Sequence, residues 1–380
     1  MIYLDRSATT PLCDAAKKAI CDSLDIFGNP SSLYSIGLEA EHLISDARKN
    51  ILFSLGVRQG KATELVFTGS GSEANNLALF GVAHAKDSNK GKKIIVSASE
   101  HPSVIESAKA LANEGYNVAF IPCPNGVFDI QTFQNELTDD TILCSVMLIN
   151  NETGAINDVK TIFDIARKTA PNCVCHTDCV QAFGKIAISP AKLSCDLISI
   201  SSHKIGAPKG VGALYISPET LKTKRISPII HGGEQENNLR AGTENTLGIA
   251  AFGAAAAQGV QNIENVKDVR TKLISSIGNK VTYNIPDGEY LPNILSVTLP
   301  GIKSETMLHF LSSNGIFVSA GSACSAHSQK PSHVLLDFGL DSKKASCTVR
   351  LSFDENLSNE EIKFTGECIN RGIDNLARMR

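Results

Sequence analysis

From Lys61 to Ser217, short β-branched apolar runs alternate with longer stretches in which apolar residues recur at helical spacing. This alternation predicts a mostly parallel sheet whose strands are joined by crossover helices. The strands read as ELVFTG, KKIIVSAS, NVAFIP, TILCSVMLIN, CVCHTD, DLISIS and VGALYIS, with helical patterns over residues 73–85, 102–114 and 159–169, each long enough to cross the sheet. Two helical stretches, 15–27 and 38–55, precede this array, and an alanine-rich helix over about 244–260 closes it. The pattern then changes to helix, strand (ILSVTLP), helix over 305–313, strand (IFVSAG), a small-residue loop, strand (TVRLSF) and a last helix from Ser358. The expected fold class is α/β. A large domain, 15–261, holds the sheet and its helices, and a smaller α+β domain comprises 1–14 and 262–380.

Composition narrows this picture. The 380 residues exceed the roughly 250–300 at which one core stops growing, in keeping with two domains. A net charge of −3, from 36 Lys+Arg and 39 Asp+Glu, gives no electrostatic case for a broad nucleic-acid face, so the expected partner is small. The longest uncharged apolar-rich run, near residues 247–257, falls far short of the about 20 residues that span a membrane. The start, MIYLDRSATT, has no basic region followed by an apolar stretch, so no secretory signal is expected. The 11 cysteines are odd in number and scattered. They fit free thiols in a reducing, cytoplasmic setting better than a disulfide framework.

In open α/β sheets ligands bind beyond the carboxyl ends of the strands, so the residues after each strand carry the information. ELVFTG is followed by GSGSEANN, a glycine turn opening a helix, where backbone N–H groups and the Ser72 hydroxyl can hold a phosphate; a plain strand-to-helix turn has the same look. KKIIVSAS leads to Glu100-His101-Pro102, with His101 at a helix start. Asp178 ends CVCHTD, where a carboxylate needs a cation or strong donor if buried, or else serves as a helix cap. DLISIS runs into Ser202-His203-Lys204 and the glycine-rich IGAPKGVG. A desolvated Lys204 there can lose its proton and act as a nucleophile. A phosphate cradle, an imidazole, a carboxylate and a lysine at four strand ends together match what pyridoxal phosphate requires.

The segments LDRSATTP, GNPSS, TGSGSEANN, SEHPSV, NNETG, HTDCVQA, SSHKIGAPKG, LRAGTEN, GSACS and TVRLS resemble, in order, the motifs of cysteine desulfurases of the NifS/IscS type. These are class V members of the fold type I pyridoxal-phosphate enzymes, and the resemblance covers essentially the whole chain. It implies that Lys204 binds the cofactor as a Schiff base, His101 stacks on its ring, Asp178 pairs with the pyridine nitrogen and Gln181 bonds the ring hydroxyl. It assigns the phosphate to Gly71, Ser72, Ser201 and His203, with Thr243 contributed by the partner of a homodimer, and the substrate carboxylate to Asn151 and Arg350. An arginine inside the apolar run TVRLSF also needs an anion if it faces inward.

The stretch SAGSACSAHS, residues 319–328, has no bulky apolar side chain to anchor it and is expected to form an exposed, mobile loop with Cys324 at its centre. Cys324 matches the family's sulfur acceptor; the other ten cysteines are expected to pack as small apolar residues. The implied reaction converts L-cysteine to L-alanine. Lys204 removes the α-proton, His101 handles the proton of the substrate thiol, and Cys324 takes the sulfur as a persulfide for an acceptor protein of iron–sulfur cluster assembly or tRNA thiolation. Cys173, Cys175, His176, Asp178 and Cys179 resemble a metal-ligand spacing, but strand alternation sends Cys173 and Cys175 to one side and His176 and Asp178 to the other, so no intrinsic metal site is expected. The family allows Cys324 as a transient iron–sulfur ligand. Departures from the family pattern are Arg6, Ser7, Tyr34, Glu234, Asn237 and Asn238, none of which touches the lysine, the aspartate or the acceptor cysteine. The alternatives are another class V enzyme, an aminotransferase or selenocysteine lyase, and a non-catalytic sulfur-transfer scaffold.

Overall fold

The seven apolar runs form one sheet in the computed structural model, which describes residues 1–85, 92–321 and 331–377. After a short N-terminal strand, β1 (Ile2–Tyr3), come β2 (Leu65–Thr68), β3 (Lys93–Ser97), β4 (Asn117–Ile121), β5 (Thr141–Ser145), β6 (Val174–Asp178), β7 (Leu197–Ser201) and β8 (Gly212–Ile216). Their order across the sheet is β2-β8-β7-β6-β5-β3-β4. Only β8 runs against its neighbours, β2 and β7; the other pairings are parallel. Two reversals cancel, so β2 points the same way as β7. The carboxyl ends of β2, β3, β6 and β7 therefore lie along one edge.

Strands covered on both faces are expected to be rich in apolar residues, and here the apolar residues divide between the two faces, with buried polar exceptions such as Ser145, His176 and Ser199. On one face Val66, Ile94, Val96, Leu143, Val174, Leu197 and Leu214 pack against helices Gly71–Ala83 and Pro102–Asn113. On the other, Phe67, Ile95, Cys144, Cys175, Ile198 and Ala213 pack against helices Ser35–Ser54, Val159–Thr169 and Thr246–Ala256. The alanine-rich helix is shorter than its pattern because Asn245 caps it, accepting from the Gly248 N–H. The first long helix covers Asp14–Ser23 and stops there, leaving Leu24 and Phe27 exposed.

A separate core gathers Ile2 and Leu4 with residues of helices Ile263–Ile277, Ser304–Ser313 and Asn359–Ala377. Its strands are β9 (Thr282–Tyr283), β10 (Ile294–Thr298), β11 (Ile316–Phe317) and β12 (Thr348–Ser352). β12, β10 and β9 form an antiparallel sheet, and β1 pairs in parallel with β11. Of the IFVSAG run, Ile316 and Phe317 pair with β1, and Ser319 forms a separate bridge to Arg350. Between Leu4 and Cys13 the chain crosses from this core to the large sheet: Arg6 N donates to Ser352 O, while Cys13 N donates to Gly206 O.

The ten described cysteines are free thiols. Eight are buried, as expected, but Cys13 is half-buried and Cys21 is exposed on the outer side of helix Asp14–Ser23. The packing role anticipated for Cys21 is therefore corrected. No described helix is long and apolar enough to cross a membrane.

Candidate active site

The shared edge of the sheet opens into a cleft lined by Ser7, Gly71, Ser72, Asn75, His101 and Asn151, and further by Asp178, Gln181, Ser201, His203, Lys204 and Arg350. Ten of the twelve residues expected from sequence meet here. Thr243 is exposed and lines a separate depression with Gly69 and Arg240. Cys324 lies outside the described residues.

Gly71 and Ser72 begin helix Gly71–Ala83, and Ser70 caps it by accepting from the Glu73 N–H. First-turn N–H groups have no acceptor within their own helix and point outward as an anion cradle. The cradle is pressed against the sheet. A side chain on Gly212, the first residue of β8, would stand 2.4 Å from the Ser70 carbonyl carbon. Gly212 pairs with both Thr68 and Ser201, so its lack of a side chain lets the turn close over the strand ends.

Asp178 ends β6 in a buried position. Its Oδ2 accepts from Asn75 Nδ2 at 2.7 Å and its Oδ1 from Val180 N at 2.8 Å. Asn75 also donates to Ser103 Oγ at 2.9 Å, and Ser103 Oγ lies 2.8 Å from His101 Nδ1. His101 caps helix Pro102–Asn113 with its own ring, Nδ1 accepting from Ser103 N at 3.1 Å. That bond reserves Nδ1 as an acceptor and places the neutral ring's proton on Nε2. Burial pushes the His101 pKa down, Asp178 opposes this, and Lys204 and His333 reinforce it.

Lys204 follows β7, and its Nζ donates to the backbone oxygens of Ser7 at 2.5 Å and Ala8 at 2.7 Å. His203 faces Thr9 Oγ1 at 3.1 Å, and burial followed by the Lys204 charge lowers its pKa to about 4. The N-terminal segment thus holds the lysine. Gln181 Nε2 donates to Ser7 O at 2.9 Å, and Gln181 Oε1 accepts from Lys185 Nζ at 2.7 Å. Opposite, Arg350 is 2% exposed. It donates through Nη1 to Asn151 O at 2.9 Å and through Nη2 to Asp5 Oδ1 at 2.6 Å. Its Nε and the Asn151 Oδ1 have no hydrogen-bond partner among the described residues.

His176 belongs to the sheet rather than the cleft, its ring nitrogens 2.8 Å from Ser145 Oγ and 2.9 Å from Ser199 Oγ. Burial lowers its pKa to about 3, so it is a neutral link between strands. The departures also find places, and the expectation that none touches the lysine is corrected at Ser7, whose backbone carbonyl accepts from Lys204 Nζ. Arg6 pairs with Asp354 at 2.8 Å, and Tyr34 is exposed at the start of helix Ser35–Ser54. Asn237 and Asn238 adopt φ of 57° and 65°, a left-handed backbone that asparagine tolerates where glycine is usual. Sequence reasoning missed Asn75, Ser103 and Lys185. Asn75 had a readable signal, lying one helical turn after Gly71 on the same face.

The aminotransferase class-V family model matches residues 2–364, and the chain belongs to that family. The chain is 38% identical over 384 residues to a cysteine desulfurase IscS of Dictyoglomus turgidum, covering 99% of this chain and 95% of that protein. Among solved structures, a NifS-like protein aligns with a TM-score of 0.89 at 32% identity, over 99% of both chains. SspA in complex with cysteine aligns with a TM-score of 0.82 at 30% identity, covering 93% of this chain and 99% of that one.

Proposed function

We propose that the cleft binds pyridoxal 5'-phosphate and that the chain is a cysteine desulfurase, converting L-cysteine to L-alanine and passing the sulfur to Cys324. The observation that carries this reading is the joint placement of Lys204, Asp178, His101 and the Gly71–Ser72 cradle on one edge of the sheet. The donor set fits the cofactor: an amine able to form a Schiff base, a buried carboxylate at the end of β6, and helix N–H groups for a phosphate. When bound, the cofactor supplies an electron sink for the carbanion formed at the substrate α-carbon.

The protein's own groups do the rest. Asp178, fixed by Asn75 and Val180, offers its charge to a ring nitrogen, and Gln181 offers an amide N–H to a ring oxygen. Gly71, Ser72, Ser201 and His203 hold the phosphate, joined by Thr243 of the partner subunit of a homodimer. Arg350 takes the carboxylate of L-cysteine through its unpaired Nε–H, and Asn151 offers its side-chain amide N–H beside it. Lys204, once displaced, accepts the α-proton on Nζ, and the neutral His101 offers its Nε2–H to the substrate sulfur and so favours its thiolate form. The Cys324 thiolate then forms an S–S bond to the substrate sulfur as the Cβ–S bond breaks, and its electron pair is protonated at carbon to give alanine. One persulfide forms per alanine released, and an acceptor protein of iron–sulfur assembly or tRNA thiolation removes it. The described residues on either side of 322–330 bond to residues at or beside this cleft. Ser319 exchanges backbone hydrogen bonds with Arg350, and Ser332 Oγ donates to the buried Glu152 at 2.7 Å. The same reading makes residues 15–261 the cofactor domain and 1–14 with 262–380 the acceptor-bearing domain, in a cytoplasmic enzyme.

The test is a single turnover with L-cysteine on the cofactor-loaded protein, scoring alanine and protein-bound persulfide. Equal amounts are expected from the native chain, and a Cys324→Ser variant should form no persulfide and lose about 10²-fold or more in alanine formation. Alanine at the native rate from that variant would refute the acceptor role. It would favour a selenocysteine lyase or other class V activity.

A further inference from the structure

Lys185 is a buried cation that the scheme above does not use. It lies four residues beyond Gln181 in the turns that follow β6, is 4% exposed, and donates from Nζ to Gln181 Oε1 at 2.7 Å. The charges that act on it most strongly are those of Lys204, Arg350 and Arg6, all of its own sign. Burying an ammonium among cations is costly, so the position calls for a role beyond packing. The Gln181 carboxamide sits between two groups of fixed polarity. An ammonium can only donate and a backbone carbonyl can only accept. With Lys185 on one side and Ser7 O on the other, the amide has one orientation, oxygen toward Lys185 and nitrogen toward Ser7. The nitrogen carries a second hydrogen, and Gln181 lines the cleft beside Lys204.

We propose that Lys185 is a positioning residue that clamps the Gln181 amide, so that Gln181 meets the bound cofactor as an N–H donor and never as a carbonyl acceptor. The proposal rests on reading the cleft as the pyridoxal-phosphate site. A donor at the ring oxygen favours the anionic form of that oxygen and lowers the pH at which the Schiff-base nitrogen loses its proton. Without the clamp the amide is free to turn over, presenting oxygen to oxygen. Burial lowers the Lys185 pKa to about 7, and the charges facing it, Lys204, Arg350 and Arg6, reinforce that direction. In either charge state Nζ keeps N–H groups to donate to Gln181 Oε1, while Ser7 O fixes the other end of the amide.

The experiment follows the pH midpoint of the visible absorbance of the cofactor-loaded protein, together with the cofactor dissociation constant. Lys185→Met should raise the midpoint by about half a unit to one unit and weaken cofactor binding several-fold. In a Gln181→Ala background the same substitution should move the midpoint hardly at all, because the clamp has nothing to hold. Lys185→Gln, uncharged but still able to donate to Gln181 Oε1, should recover most of the native midpoint, and it also serves if the methionine variant fails to fold. A native midpoint in Lys185→Met overturns the proposal, as does an equal shift in both backgrounds, which would mark a simple charge effect. A Lys185→Gln shift as large as that of methionine overturns it too. A native protein with no visible band on loading would sink the cofactor reading and this proposal together.

Discussion

On the wall of the cleft formed by the strand ends, Asp178, His101, Gln181 and Lys204 each engage at least two hydrogen-bonding groups of the protein. On the facing wall, β12 and the Asn151 turn leave Arg350 Nε and Asn151 Oδ1 unpaired among the described residues. The first wall is over-determined, as suits a group that stays bound and must be held within a fraction of an ångström. The second keeps spare polar capacity at a buried cation, which suits a ligand that arrives and leaves each turnover. Part of that capacity is already taken, since Asp5 pairs with Arg350. On the proposed reading, a substrate carboxylate would meet a half-neutralised guanidinium and its binding would stay reversible.

Breaking the rigid wall should cost most. Asp178→Asn keeps the shape and an acceptor for Val180 N but removes the charge. Turnover should fall by about 10²–10⁴-fold, while the loaded protein keeps a visible band through Lys204. Single-turnover alanine formation and the absorbance spectrum separate the two effects. A loss below tenfold would mean that Asp178 serves as a structural cap and not as the ring's counter-ion.

The facing wall should respond in KM instead. Arg350→Ala should raise KM for L-cysteine by about 10–10³-fold, with the visible band and its pH midpoint unmoved. If the band shifts as much as it does in Asp178→Asn, the two walls are one coupled unit and the division drawn here is wrong.

The difference between the walls also separates what the chain alone disclosed from what it did not. Asp178 and Lys204 were legible because each follows an apolar strand, and strand ends are where an open sheet places its ligands. Asn75, Ser103 and Lys185 were not, because their part is to orient other side chains. A lysine four residues past a glutamine, in the turns after a strand, looks like any solvated loop lysine until its neighbours in space are known. The N-terminal segment was flagged only through its family motif. Its use of the Ser7 and Ala8 carbonyls to hold Lys204 is a backbone function that no side-chain pattern reports.

The smallest effect concerns the floor behind the rigid wall. Glu100 is fully buried next to His101, its Oε1 accepting from Ser97 Oγ at 2.8 Å and from the Met147 N–H. Its Oε2 has no partner among the described residues. Burial, with the nearby Asp178 charge, raises its pKa to about 8, so the folded protein holds this proton at neutral pH and the unfolded chain does not. A group whose pKa rises on folding stabilises the fold at low pH and loses that contribution as pH climbs from the unfolded value through the folded one. Glu100→Gln fixes the neutral form. Thermal denaturation of the two proteins should therefore diverge between pH 5 and pH 8, the native Tm falling by at least about 2 °C relative to the variant. Parallel curves would mean that Glu100 is ionised at neutral pH. The strand-end wall would then carry two adjacent negative charges beneath the cofactor rather than the single charge of Asp178.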